Sequence, residues 1–200
     1  MTAEERDVLM IIADISGYTR FMVANQTALA HSQQITGALL ASILDEVQIP
    51  LTVGKLEGDA VFLYAMKGND DVLTRVRENL VRFFDVFSRT LRDLATGRAC
   101  SCEACRNIDQ LRLKVIAHSG RAVFYRMANN VELAGVDVII VHRLLKNSIA
   151  AREYILLTDA AERDLPMNLA PIAATIEDYE EIGPVHVTAY APRGVGGNRA

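Results

Sequence analysis

An apolar segment near the start of the chain, residues 8–13, ends directly at the carboxylate Asp14. The segment shows no apolar–polar alternation, which predicts a strand buried on both faces. A Ser16-Gly17 turn follows and leads into a predicted helix, so Asp14 is expected at the tip of the strand beside backbone N–H groups. Carboxylate oxygens suit divalent cations, and N–H groups at a helix start suit phosphate. The pattern predicts a metal or phosphate site here.

A second carboxylate, Asp59, follows Gly58 in a segment that predicts a tight turn between two strands. Asp14 and Asp59 are 45 residues apart in the sequence, so only strand pairing can bring them together. Asp residues also commonly cap turns and occupy hairpin loops. The residues alone therefore leave two interpretations open for each Asp, a metal ligand or a turn residue.

Composition limits the class of protein. The 200 residues are 50% hydrophobic and 23% charged, typical of one soluble globular domain, which we predict over residues 1–192 with a flexible tail at 193–200. The net charge of −4 argues against nucleic-acid binding, and no apolar run approaches the roughly 20 residues of a membrane span. The polar, acidic first residues do not resemble a signal peptide. We therefore expect a cytoplasmic protein.

Apolar periodicity predicts an α+β arrangement. Repeats of three and four residues indicate helices over about residues 20–47, 72–94 and 136–149. Alternation over residues 111–117 leads into His118 and Gly120, and residues 122–126 are predicted to return as the second arm of a hairpin.

Four short segments, taken in order, resemble the class III adenylate/guanylate cyclase family, in particular an uncharacterised bacterial subgroup with an added cysteine loop. The segments are residues 13–19, 55–59, 116–120 and 135–144. The resemblance extends from about residue 8 to residue 190. It implies a class III nucleotide cyclase-like sandwich with a ferredoxin-like core, a mostly antiparallel sheet with helices packed on one side, and a homodimer.

The resemblance also implies roles for individual residues. Asp14 and Asp59 match the family's two ligands for Mg²⁺ or Mn²⁺. Lys55 and Glu132 match the donor and acceptor that recognise the nucleotide base from the partner subunit. Arg143 matches the residue that stabilises the transition state.

One departure bears on activity. Ile139 stands where the family has an Asn, and it cannot hydrogen-bond a ribose oxygen. Losing one such contact costs on the order of 10²–10³ in rate. The segment between Gly120 and Glu132 is also shorter than in the family. We therefore expect a degenerate protein that binds divalent metal and a nucleotide or phosphate-type ligand in a regulatory role. An active adenylate cyclase and a dimeric interaction module with structural zinc remain alternatives.

Three cysteines, Cys100, Cys102 and Cys105, lie within six residues between a predicted helix and strand. Their thiolates suit a tetrahedral Zn²⁺ ion or an iron–sulfur centre, whereas free thiols or one strained disulfide are the simpler interpretations. A metal here needs a fourth ligand, which the sequence leaves open between His31, His118, His142, Glu103, water and a second subunit. We expect His118 to be a hydrogen-bonded core residue, and no pattern singles out His31 or His186.

Overall fold

The computed structural model describes residues 3–97, 100 and 102–192; the tail predicted at 193–200 lies outside the described residues. Eight strands and six α-helices form the described part of the chain. Their bounds are β1 Glu4–Ser16, α1 Tyr18–Ala24, α2 Leu29–Asp45, β2 Thr52–Glu57, β3 Ala60–Met66, α3 Asp70–Thr96, α4 Glu103–Asn107, β4 Arg112–Met127, β5 Asn130–Ala134, α5 Val136–Arg143, β6 Tyr154–Thr158, α6 Asp159–Asp164, β7 Pro171–Tyr179 and β8 Gly183–Tyr190.

The eight strands form one sheet in the order β2-β3-β1-β4-β6-β8-β7, with β5 paired to β4. Among the described strands, β4 and β6 pair in parallel and the other pairs are antiparallel. The α+β fold with a mostly antiparallel sheet that the sequence predicts is therefore confirmed. No helix within the described residues is both long and apolar enough to span a bilayer.

Strand β1 lies in the middle of the sheet, and its residues 8–13 are fully buried, as their unbroken apolar pattern predicts. Leu9, Ile11 and Ala13 face the layer formed by α2 and α3. The alternate residues Val8, Met10 and Ile12 face a second apolar cluster on the opposite side of the sheet. This part of the strand can be buried on both faces because every side chain from residue 8 to residue 13 is apolar.

Helix α3 supplies most of the aromatic bulk on the first face. Asn69 begins the helix because its side-chain oxygen accepts a hydrogen bond from the N–H of Val72 at 3.3 Å. Phe83, Phe84 and Phe87 then repeat on one face and are almost completely buried against the sheet. The predicted periodicity of this helix is confirmed.

Helix α5 covers the opposite face of the sheet. Val141 in α5 and Leu144 just after it are fully buried against residues such as Met10 and Ile116. The sheet is thus layered by α2 and α3 on one side and by a short helix on the other. The expectation that the helices pack on one side therefore holds for α2 and α3 but not for α5, because the apolar residues Val8, Met10 and Ile12 on the second face also need a cover.

The hairpin predicted around Gly120 is wrong, because β4 runs as one continuous strand through this position. Gly120 pairs with Val8 of β1, and a Cβ atom at this position would overlap the side chain of Asp137 in α5. The Asp137 carboxylate accepts the N–H of Arg121 at 2.6 Å and lies 3.0 Å from His118 Nε2. Glycine is needed here for close approach and not for a turn.

We predict that Gly120→Ala lowers the free energy of unfolding by about 1–3 kcal/mol, since the added methyl group overpacks the site and displaces Asp137. Gly37→Ala is the matched control, because Gly37 lies within α2 and has open space around it. That substitution should increase stability by about 0.5–1 kcal/mol. Urea unfolding of both variants measures the difference. Equal effects of the two substitutions would contradict this role for Gly120.

Candidate functional site

Asp14 lies near the end of β1, where the strand leaves the apolar core. In the sheet register it stands opposite Ala60 in β3 and Lys114 in β4. The ammonium group of Lys114 lies 3.1 Å from Asp14 Oδ2, and the two side chains are only 17% and 13% exposed. Lys114 also donates a hydrogen bond to the carbonyl of Leu145 at 2.9 Å. Helix α1 begins after Gly17, and no side chain caps its first turn. Asp14 therefore does not serve as a cap and instead forms the ion pair with Lys114.

Asp59 occupies the turn between β2 and β3. Gly58 before it has a φ of +69°, a left-handed conformation that favours glycine. The Asp59 carbonyl accepts the N–H of Ile15 at 3.1 Å, which extends the pairing of β1 with β3 to the residue just before β3 begins. The antiparallel pairing therefore brings Asp14 and Asp59 to the same end of the sheet, as the resemblance implies.

At both carboxylates the cost of burying the negative charge outweighs the favourable charge of Lys114. Burial, followed by the nearby charge of Asp14, raises the pKa of Asp59 to about 6. Burial also raises the pKa of Asp14, while the charge of Lys114 works in the opposite direction. Two desolvated carboxylates that repel each other favour either a proton or a bound cation between them.

A cleft of about 380 Å³ opens in front of both carboxylates. Arg20, Lys114 and Arg152 line it together with the turn at 15–19. Gly17 in this turn has a φ of +91°, and a Cβ atom there would lie 2.7 Å from the Arg152 guanidinium. Arg152 in turn donates a hydrogen bond to the carbonyl of Gln110. The cleft thus combines two acidic groups with three cationic ones, a set that suits a metal–phosphate ligand.

The other site residues named from the resemblance lie elsewhere in the chain. Lys55 is exposed on β2, beside an irregularity in its pairing with β3. Glu132 is half-buried on β5, opposite Tyr125 of β4. Arg143 is exposed at the end of α5. Among the described residues, these three do not line the cleft of Asp14 and Asp59, and their roles stay predictions.

Arg143 instead lines a groove of about 560 Å³ on the outer side of α5. Ile139, one helical turn earlier, is 50% exposed and lines the same groove, with Tyr179 across from it. The position for which the resemblance implies an Asn is therefore occupied by an apolar, half-exposed side chain.

The cysteine loop meets His31. The Nδ1 atom of His31 lies 3.2 Å from Cys102 Sγ, and the Nε2 atom of His31 lies 3.7 Å from Cys105 Sγ. Together with Cys100 these groups form a cluster whose ligand atoms all lie within 4.8 Å of one another. The three cysteines are free thiols in the structure.

Two other histidines named as fourth-ligand candidates have different partners. His118 is buried between Thr158 Oγ1 at 2.8 Å and Asp137 at 3.0 Å, so it is the hydrogen-bonded core residue that the sequence predicts. His142 Nε2 lies 3.1 Å from the Glu57 carboxylate.

Sequence reasoning missed Lys114 and Arg152. Lys114 lies between the apolar residues Leu113 and Val115 of β4, and a lysine within such an apolar stretch is an available signal for a buried ionic partner. Arg152 follows a segment without regular structure, and nothing nearby in the sequence connects it to Gly17.

The chain is similar to known proteins at two levels. A family model described as "Protein of unknown function (DUF2652)" matches residues 36–154. The "Uncharacterized protein Rv2561/Rv2562" of Mycobacterium tuberculosis is 37% identical over 146 residues, which are 72% of this chain and 68% of that protein.

Solved structures share the fold at low identity. The guanylyl cyclase Cya2 aligns with a TM-score of 0.67 and 15% identity over 100% of this chain and 99% of its own. A class III adenylyl cyclase-like ATP-binding protein from Pseudomonas aeruginosa aligns with a TM-score of 0.64 and 12% identity over 82% of this chain and 35% of its own. The class III cyclase fold expected from the four sequence segments is confirmed.

We predict that Asp59→Asn raises the midpoint of thermal unfolding by a few degrees at pH 7–8 in buffer without added divalent metal. Because the pKa of Asp59 is raised from 3.8 to about 6, the folded state binds this proton more tightly than the unfolded chain does. Protonation of Asp59 therefore stabilises the folded state below pH 3.8, and this contribution is lost as the pH rises through 6.

The gain from Asp59→Asn should therefore shrink as the pH falls from 6 to 4. Asp45→Asn is the matched control, because Asp45 is an exposed carboxylate at the end of α2 and does not line the cleft. Thermal scans across this pH range measure both variants. A constant difference between Asp59→Asn and wild type at every pH would contradict the raised pKa.

Proposed function

Since this chain belongs to the DUF2652 family and has the class III cyclase fold, we propose that it binds a divalent metal ion and a nucleotide or phosphate-type ligand in a regulatory role, with little or no cyclase turnover. The observation that carries this proposal is the shared cleft of Asp14 and Asp59. Both carboxylates are partly desolvated, and their pKa values are raised. A cation bound between them relieves this repulsion.

The donor set fits Mg²⁺ or Mn²⁺. These ions take oxygen ligands, typically from one or two carboxylates together with phosphate oxygens and water. Lys114 pairs with Asp14 and already neutralises part of the charge, so the cleft favours fewer cations than two unpaired carboxylates would. Asp14 and Asp59 would hold the ion, which would supply positive charge against the carboxylates and the phosphate groups of the ligand.

The cationic side chains of the cleft serve the phosphate end of the ligand. Arg152 is oriented by its bond to the Gln110 carbonyl and lies against the Gly17 turn. Arg20, the residue after Thr19 in α1, also lines the cleft. Guanidinium groups bind phosphate oxygens through charge-assisted and often bidentate hydrogen bonds.

Ile139 supports a binding role over efficient catalysis. Ile139 lines the same groove as Arg143, the residue proposed to stabilise the transition state. Arg143 therefore lacks the neighbouring Asn side chain that the resemblance implies for binding a ribose oxygen. The similar Pseudomonas aeruginosa structure is described as a cyclase-like protein that binds ATP, which is the kind of activity proposed here.

We assign a homodimer to the functional state. Helix α5 leaves Val136 and Ile139 exposed beside the groove, and a second copy can bury them. In such a dimer Lys55, Glu132 and Arg143 of one copy face the ligand held by the carboxylates of the other, and Lys55 and Glu132 contact adenine. A structural zinc ion in the cysteine loop is a separate assignment within this proposal.

We predict that the full chain binds ATP in the presence of Mn²⁺. Asp14→Ala and Asp59→Asn should each lower the Mn²⁺-dependent affinity by at least on the order of tenfold, because each removes one carboxylate from the metal. Asp45→Asn, away from the cleft, should bind as the wild type does. Isothermal titration with ATP and a non-hydrolysable analogue measures these affinities.

Turnover separates the proposal from its main alternative. A sensitive cyclic-nucleotide assay with Mn²⁺ and ATP or GTP should give little or no product. Robust product formation that Asp14→Ala abolishes would show an active cyclase instead. A folded protein that binds neither Mn²⁺ nor ATP would contradict the ligand-binding role and favour an interaction module.

We predict that the chain sediments as a dimer at tens of micromolar. Ile139→Asp should shift it towards monomer without unfolding it, because a charge at this half-exposed position is costly only when a partner covers it. Ile49→Asp is the matched control, since Ile49 is exposed and lies outside α5. Analytical ultracentrifugation of the three proteins decides the point. A wild-type monomer would contradict the shared site.

A further inference from the structure

The cysteine loop is folded around its own sulfur atoms. The N–H of Cys102 lies 3.4 Å from Cys100 Sγ and donates to it, and the N–H of Cys105 donates to the sulfur of Cys102. Cys102 also marks the start of α4, and its carbonyl accepts the N–H of Arg106 at 3.2 Å. Backbone donors aimed at sulfur hold the side chains of this loop together.

His31 comes to this loop from a distant part of the chain. It lies in the first turn of α2, 71 residues before Cys102 and 74 before Cys105. Both ring nitrogens face sulfur, with Nδ1 nearer Cys102 and Nε2 nearer Cys105. Cys105 is only 6% exposed, so part of the cluster is shielded from water.

The size of the cluster indicates one metal ion. Ligands about 2.1–2.3 Å from a tetrahedral zinc ion lie roughly 3.8 Å from one another, and the four groups here all lie within 4.8 Å. An iron–sulfur centre spreads its thiolates over several metal atoms and needs wider spacing. Three sulfurs and one imidazole are a donor set for structural zinc, with no position left open for a substrate.

Helix α4 connects this cluster to the ligand cleft. The Asn107 side chain at the end of α4 donates to Asn25 Oδ1 at 3.4 Å. Asn25 is fully buried and donates to the carbonyl of Phe21 in α1 at 2.6 Å. Three residues beyond Asn107, the Gln110 carbonyl accepts from Arg152 beside the Gly17 turn. Hydrogen bonds therefore connect the helix that carries the cluster to α1 and to Arg152, which line the cleft.

We propose that His31, Cys100, Cys102 and Cys105 form a closed zinc centre that ties α2 to α4 and thereby fixes α1 and the Gly17 turn at the edge of the cleft. This inference rests on the zinc assignment but not on nucleotide binding. It identifies the fourth ligand and gives the zinc a defined effect on the neighbouring site.

Metal content and affinity test the ligand set. Elemental analysis of the purified full chain should find about one zinc per chain. In competition with a chromophoric chelator, His31→Ala should weaken zinc binding on the order of a hundredfold or more, because one of four ligands is lost. His186→Ala is the matched control, since His186 is exposed on β8, and it should bind zinc as the wild type does. If His31→Ala does not fold, Cys100→Ser changes the exposed ligand of the set and should show the same loss.

Hydrogen exchange tests the effect on the cleft. Removing zinc with a chelator should speed amide exchange in α4 and α1 at least several-fold, leave β7 and β8 unchanged, and be reversed when zinc is added back. Both measurements are made without nucleotide, so their outcome does not depend on whether the cleft binds a ligand. A chain that neither carries nor takes up zinc would overturn the proposal. So would equal zinc affinity in wild type and His31→Ala, or exchange in α1 that does not change when zinc leaves.

Discussion

The burial of β1 on both faces is the constraint on which the rest of the structure depends. Residues 8–13 are fully buried, so an apolar layer must cover each side of the sheet at this strand. The long helix α3 supplies one layer, and the short helix α5 supplies part of the other. Asp14 is the first polar residue after this run, and on its face of the sheet it follows the apolar side chains of Val8, Met10 and Ile12. The position of the ligand cleft follows from the length of the apolar strand.

In our account the chain separates two kinds of metal chemistry at neighbouring places. Asp14 and Asp59 offer oxygen ligands at the open end of the sheet, where a cation can be exchanged together with its ligand. The cysteine loop and His31 offer sulfur and imidazole in a closed cluster, which suits an ion that stays in place. In our account the second metal stabilises the wall of the first site and takes no part in its chemistry.

The sequence predicted the parts of the structure that depend on local pattern. The unbroken apolar run located β1, and the four cyclase-like segments placed Asp14 and Asp59 at one end of the sheet. The turn expected at Gly120 was wrong because glycine there serves close approach by a residue that follows it in the chain. Lys114 and the proximity of His31 to the cysteines were missed because their partners lie on distant segments, which composition and periodicity do not connect.

The most direct test of the central claim is anomalous diffraction from a crystal of the full chain grown with Mn²⁺ and a non-hydrolysable ATP analogue. Data at the manganese edge should give a peak between the carboxylates of Asp14 and Asp59, with the analogue's phosphates beside Arg152. A zinc-edge peak at His31 and the cysteines would serve as an internal reference. Analogue bound elsewhere, or a cleft that holds only the Asp14–Lys114 pair at saturating Mn²⁺ and analogue, would contradict the account.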